Sequence, residues 1–204
     1  MILVGMSDSP YVRRCAISMR LMGIAFEHQQ VSVFRTFEQF QSINPVVKAP
    51  TLVCDDNTVL MDSTLILDYL ETCVAPAKAL MPAAGAQRQE ALRLIGLAMA
   101  ACEKCVQMVY ERNQRPAEKL HAPWMARVSL QANAAFGELE KATANASPWL
   151  QGAKLTAADI AVACAWRFSQ FYESSEVKAT AYPMLVAYSA RAEALPEFAA
   201  VPLD

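Results

Sequence analysis

Between Asn44 and Glu71 the chain reads NPVVKAPTLVCDDNTVLMDSTLILDYLE, an order of residues that few folds accommodate. Lys48-Ala49-Pro50 runs into Thr51-Leu52-Val53, an apolar triplet suited to a strand, so the proline stands at a strand start. There it gives up a ladder donor where the loss is smallest, and X-Pro is the one bond at which a cis peptide is cheap. A cis bond at this point turns the Ala49 backbone outward, where it can pair with an extended ligand. Asp55-Asp56-Asn57 supplies a hairpin turn, Thr58 to Met61 a second short strand, and Thr64 to Glu71 a helical run, with Asp62-Ser63 at the junction. A helix N-terminus attracts an anion through its unpaired N–H groups and its dipole, and Ser63 adds a hydroxyl donor, so a carboxylate fits there. Taken singly, Asp62 is a helix cap and Pro50 a turn former. Joined by one hairpin, they frame an edge suited to holding a peptide.

The chain ahead of this segment carries a second helix start. Ile2-Leu3-Val4 is a short apolar strand ending at Gly5, and Ser9-Pro10 opens a helix with serine as cap and proline in the first helical position. Val12, Cys15, Ala16, Met19 and Met22 recur at helical spacing, which predicts one buried face, and Gly23 ends the helix. Phe26 to Val33 reads as a strand and Phe34 to Ile43 as a short helix closed by Asn44-Pro45.

These residues resemble the glutathione-binding half of the thioredoxin-like domain of cytosolic glutathione transferases, whose pattern is roughly N-P-x-x-K-x-P-x-L followed by an acidic residue and Ser. Asn44-Pro45, Lys48, Pro50, Leu52, Asp62 and Ser63 fall on it; Asp62 stands where many members carry Glu or Gln, and Ala49 where Val or Ile is commoner. The order β-α-β-α-β-β-α over about 75 residues is that of such a domain. The resemblance implies an α/β thioredoxin-like domain over residues 1–76, a linker over 77–86 and an all-helical domain over 87–204. It implies glutathione as co-substrate, with Lys48 at its glycine carboxylate, the Ala49 backbone pairing with its peptide, and Asp62 and Ser63 at its other end. Ser9 is the candidate for holding the glutathione sulfur as thiolate, since a free thiol titrates near ~8.5 and a hydroxyl at a helix N-terminus supplies a hydrogen bond and a positive dipole end. Ser7 and Tyr11 are the alternatives for that role.

The later chain is helical by its pattern. Cys73 to Gly85 has two prolines and no period. Gln87 to Arg112 carries Ile95, Met99, Cys102, Val106 and Val109 as a stripe, and Met125 to Ala144 continues after Pro123-Trp124. Thr156-Ala-Ala-Asp159 approximates a capping box, with Leu155 and Ile160 at the staple positions, ahead of a small-residued helix expected to be buried. The family resemblance places the pocket for a small hydrophobic electrophile on these helices, with Met108, Tyr110, Trp166 and Phe171 as candidates to line it, and implies a homodimer.

Composition narrows the competing functions. With 18 Lys plus Arg against 20 Asp plus Glu and no basic block, nothing suggests a nucleic-acid partner. No apolar run approaches the roughly 18 residues that span a bilayer, so a cytoplasmic protein without membrane partners is expected. The six cysteines are expected to be reduced, buried thiols; Cys102 and Cys105 share one helical face, which favours burial over a redox or metal site, and no metal is expected. The remaining alternatives are a non-catalytic binding protein on the same fold and glutathione-dependent disulfide exchange, which ordinarily takes cysteine where Ser9 stands.

Overall fold

A computed structural model describes residues 1–203, which divide into two compact units: residues 1–80 together with 195–203, and residues 81–194. The first holds β1 (Ile2–Val4), α1 (Pro10–Met22), β2 (Glu27–Gln29), α2 (Phe37–Ile43), β3 (Thr51–Val53), β4 (Val59–Met61) and α3 (Ser63–Thr72). The sheet order is β2-β1-β3-β4, with β1 parallel to β2 and the other pairs antiparallel. This is the α/β arrangement expected of the N-terminal part.

Local chemistry explains where elements start and stop. Ser9 caps α1, Pro10 occupies its first turn, and Gly23, at φ 71°, ends it with its N–H donating to the Arg20 carbonyl at 3.0 Å. β2 is far shorter than Phe26 to Val33, and α2 begins three residues later than expected. The reason is a knot of side-chain to backbone bonds: Ser32 Oγ accepts from the Phe34 and Arg35 amides, and Thr36 Oγ1 accepts from the Ser32 amide. Such bonds compete with both ladder and helix. Gly5, at φ 141°, lies so close to its neighbours that a Cβ there would meet Val12 Cγ2 at 2.6 Å and Ala49 Cβ at 3.1 Å.

Burial of α1 departs from the single face predicted. Every residue from Pro10 to Met19 except Tyr11 is buried, including Arg13 and Arg14. Arg13 donates from Nε to the Val201 carbonyl at 2.8 Å and from Nη2 to the Phe198 carbonyl at 3.4 Å, with its guanidinium 5.8 Å from the Phe198 ring centroid. It thereby ties the last helix, α8 (Pro196–Ala199), and the residues after it to the first unit, whereas the sequence pattern continues the helical domain to the chain end.

The second unit is helical, with α4 (Gly85–Asn113), α5 (Ala122–Thr143), α6 (Ala157–Tyr172) and α7 (Pro183–Glu193). The buried apolar residues of α4 are Ala91, Leu94, Ile95, Ala98, Ala101, Cys102, Cys105 and Met108; of the stripe expected from the sequence, Ile95 and Cys102 are buried, whereas Met99, Val106 and Val109 are half-buried flanks. Alanines occupy the seam because α5 and α6 both pack against α4. Cys102 and Cys105 are fully buried, and burial, aided by the Glu173 carboxylate, pushes the Cys105 thiol up to about 12. Cys73, in contrast to the other five cysteines, is exposed.

Asp159 organises this unit. Fully buried, it accepts from the Thr156 amide at 2.6 Å, the Thr156 hydroxyl at 2.7 Å, the Leu150 amide at 2.8 Å and the Tyr188 hydroxyl. One carboxylate thus joins the start of α6, the loop before it and α7. Asp159→Ala strands several buried donors at once, each worth about 1–3 kcal/mol when left unpaired. It should lower unfolding free energy by about 3 kcal/mol or more in a urea titration; a loss below about 1 kcal/mol would show that the cluster does not hold the unit together.

Candidate functional site

The β3–β4 register decides where the two halves of the hairpin segment meet. Thr51 pairs with Met61, so one step further along the ladder Pro50 comes opposite Asp62. The strand start at Ala49-Pro50 and the helix start at Asp62-Ser63 therefore share one end of the sheet. Gly5 brings the beginning of α1 to the same end, because it is wedged between Val12 and Ala49.

On this edge the Ala49–Pro50 bond is cis. The turn before it is held by Asn44, buried, whose Nδ2 donates to Thr51 Oγ1 at 2.8 Å while its Oδ1 accepts from the Val46 amide at 3.0 Å. Thr51 Oγ1 in turn donates to the Lys48 carbonyl at 2.8 Å. Val47 takes φ 53°, and the Lys48 side chain stands exposed.

At the helix start, Asp62 adopts φ 73° and ψ 121°, a conformation that ordinary L-residues rarely take, and its Oδ1 accepts from the Thr64 amide at 2.8 Å. One of the N–H groups at this helix end is thus already used by the protein. Ser63 is buried, and its hydroxyl oxygen accepts from Arg14 Nη1 at 3.3 Å; the same nitrogen lies 3.4 Å from Thr64 Oγ1. The Cys15 thiol donates to the Ser63 carbonyl at 3.8 Å. The second turn of α1 is in this way fastened to the first turn of α3.

The start of α1 offers two hydroxyls. Ser9 is half-buried, and its Oγ accepts from the Val12 amide at 3.4 Å, a long contact that leaves the hydroxyl proton to be donated elsewhere. Ser7 is buried and clamped by one side chain: its amide donates to Gln30 Oε1 at 2.9 Å and its Oγ accepts from Gln30 Nε2 at 2.5 Å. Tyr11 lies on the first turn of α1, half-buried.

Sequence reasoning missed Arg14 and Gln30. The only signal for Arg14 was a charged pair, Arg13-Arg14, inside an apolar-spaced helix; Gln30 had none, since a polar residue after a strand is ordinary. Of the residues named for a second substrate, Met108 and Trp166 are buried, while Tyr110 and Phe171 are exposed. Among the described residues there is no cluster of three His, Cys, Asp or Glu side chains that could hold a metal ion, and no helix long and apolar enough to cross a membrane.

Residues 3–77 match the family model for the glutathione S-transferase N-terminal domain, and residues 101–201 that for the C-terminal domain. The chain is 28% identical over 170 residues to YibF of Escherichia coli, an uncharacterized GST-like protein, covering 83% of this chain and 82% of that one. Among solved structures, a glutathione S-transferase of Methylobacterium radiotolerans in complex with glutathione sulfonate superposes with a TM-score of 0.90 at 27% identity, over 100% of this chain and 95% of that one. A glutathione transferase family member of Pseudomonas fluorescens with bound glutathione gives 0.86 at 27% identity, over 100% and 98% of the two chains.

The backbone of Asp62 separates stability from use. A non-glycine residue in so sparsely populated a region costs about 1–3 kcal/mol, and glycine removes that strain while losing only a few tenths as a helix cap. Asp62→Gly should therefore keep or raise the midpoint of thermal unfolding, whereas Asp62→Ala, which loses the cap and keeps the strain, should lower stability by about 1 kcal/mol. Equal losses in the two variants would show that the backbone at Asp62 is unstrained.

Proposed function

The chain belongs to the glutathione S-transferase family, and on that premise we propose that it is a glutathione transferase whose first unit binds the tripeptide and activates its thiol. The observation that carries this reading is the meeting of three peptide-holding features at one end of the sheet: the start of α1 at Ser9, the Ala49–Pro50 strand edge, and the Asp62-Ser63 helix start. The bound glutathione in a 27%-identical neighbour supports the choice of ligand.

In this reading the ligand lies extended along the edge, its cysteinyl backbone paired with Ala49, one carboxylate at Ser63, and the glycine carboxylate near the exposed Lys48. The Ser9 hydroxyl donates to the sulfur, and the N-terminal dipole of α1 adds to that stabilisation of the thiolate. The thiol proton leaves to solvent. The thiolate then attacks an electrophilic carbon of a small hydrophobic substrate, forming the carbon–sulfur bond as a leaving group departs with its bonding electrons or as a π bond opens and its carbanion takes a proton from solvent. With a peroxide it attacks the O–O bond, an alcohol leaves, and a second glutathione converts the sulfenic acid to glutathione disulfide and water. The exposed apolar residues Val59 and Met61 on β4, and Leu65 and Tyr69 one turn apart on α3, support a homodimer.

The experiment is a pair of titrations. Wild-type protein should be retained on immobilised glutathione, and thiolate absorbance should show bound glutathione ionising below the ordinary range near ~8.5. Ser9→Ala should raise that pKa, each unit being about 1.36 kcal/mol of lost thiolate stabilisation, so that conjugation falls at neutral pH and partly recovers as pH rises. Full activity with an unshifted profile in Ser9→Ala, together with loss in Ser7→Ala, would move the sulfur to Ser7. Retention without any thiolate signal would leave a binding protein rather than an enzyme. For the dimer, sedimentation at micromolar concentration should give twice the mass of one chain; a single monomeric species removes it.

A further inference from the structure

We propose that Arg14 is a positioning residue for the carboxylate site at Ser63, acting through the Ser63 hydroxyl and through its charge without touching the ligand. This rests on the reading that the start of α3 takes a glutathione carboxylate. A serine hydroxyl can either donate or accept toward a ligand, and nothing in serine itself chooses. Here the choice is made by the protein. Arg14 Nη1 donates to Ser63 Oγ at 3.3 Å, and a guanidinium has no acceptor to offer in return, so the hydroxyl proton is turned away from Arg14 and is free for an incoming oxygen. Both side chains are buried, which strengthens the coupled bonds: a hydroxyl that accepts from a cation becomes a better donor.

The charge matters as much as the orientation. Asp62 already places a carboxylate on the Thr64 amide at this helix end, so a ligand carboxylate arrives beside one of like charge. That repulsion opposes the helix-end attraction. The Arg14 guanidinium, held under the same turn by Ser63 Oγ and Thr64 Oγ1, offsets it from the protein side. The preference of the site for a carboxylate over a neutral group is thus set from α1, an element whose own N-terminus faces the sulfur.

The test compares glutathione with 4-aminobutyryl-cysteinylglycine, which lacks the α-carboxylate of the γ-glutamyl residue, by calorimetry on the full-length chain. Wild type should favour glutathione. Arg14→Met should weaken glutathione by about tenfold, the size of one charge-assisted hydrogen bond, while the analogue binds as before and the pKa of the bound thiol does not move. Arg14→Lys, which restores charge without the planar fork, should recover part of the preference. Adding Arg14→Met to Ser63→Ala should cause a clearly smaller loss than Arg14→Met alone, because the part that acts through the hydroxyl is already gone and only the charge is left to remove. If Arg14→Met fails to fold, Arg14→Gln takes its place with the same expectations. Equal weakening of both ligands, unchanged glutathione affinity, or additive losses with Ser63→Ala would each overturn the proposal. Wild type that binds neither ligand would instead overturn the glutathione reading itself, and this inference with it.

Discussion

Two adjacent guanidinium groups inside the first unit fix the helix on which the rest depends. Arg13 and Arg14 are exposed by only 1% and 2%, and a charge so far from water is tolerated only with well-made hydrogen bonds. Successive helical residues point about 100° apart, so the two side chains serve different neighbours. Arg13 reaches the Phe198 and Val201 carbonyls of the terminal segment, and Arg14 reaches the first turn of α3. Together they leave α1 little freedom to rotate or slide. The position of its first residues, and of the Ser9 hydroxyl, follows.

The other half of the edge is fixed by backbone register. A one-residue slip between β3 and β4 would exchange the faces of every side chain and separate Pro50 from Asp62. Leu52, fully buried and paired with both Leu3 and Leu60, makes that slip expensive. Asn44 then fits the preceding turn to the strand through Thr51. Packing therefore sets the register, and polar side chains do the finer placing of the turn.

Elements defined by local chemistry were legible in the sequence. Ser9-Pro10, Gly23 and the Thr156 to Asp159 box each carry a cap whose partners lie within a few residues, and each stands where the pattern put it. The hairpin from Thr51 to Met61 was legible for the same reason. What escaped were features whose partners are remote in sequence. Arg13 bonds to carbonyls about 185 residues away, Arg14 to hydroxyls about 50 away, and Gln30 to Ser7 across 23 residues. A spacing rule reads α1 as one apolar face with exposed charges opposite. It has no way to see that the opposite side is covered as well. On α4 the pattern found Ile95 and Cys102 but missed Ala91, Ala98 and Ala101, since alanine gives little weight to a hydrophobic pattern yet marks the closest approach of helices.

Ser9 shows how one hydroxyl can cap a helix and still keep a proton to donate. As a cap it uses a lone pair, accepting from the Val12 amide, and the 3.4 Å length of that contact makes it a weak cap. Proline in the first turn already fixes the backbone there, and the Ser9 carbonyl accepts from the Arg13 amide at 2.9 Å whatever the side chain. Loss of the hydroxyl thus removes about 1 kcal/mol of helix stability at most. The buried arginines and the apolar packing of α1 hold the helix regardless, so its N-terminus, with the dipole it presents, stays where it is. The proton of the hydroxyl, uncommitted to the cap, is the part that a ligand sulfur would feel. The helix end is built by one set of interactions, and the thiol activation proposed for it would draw on a proton that those interactions do not use.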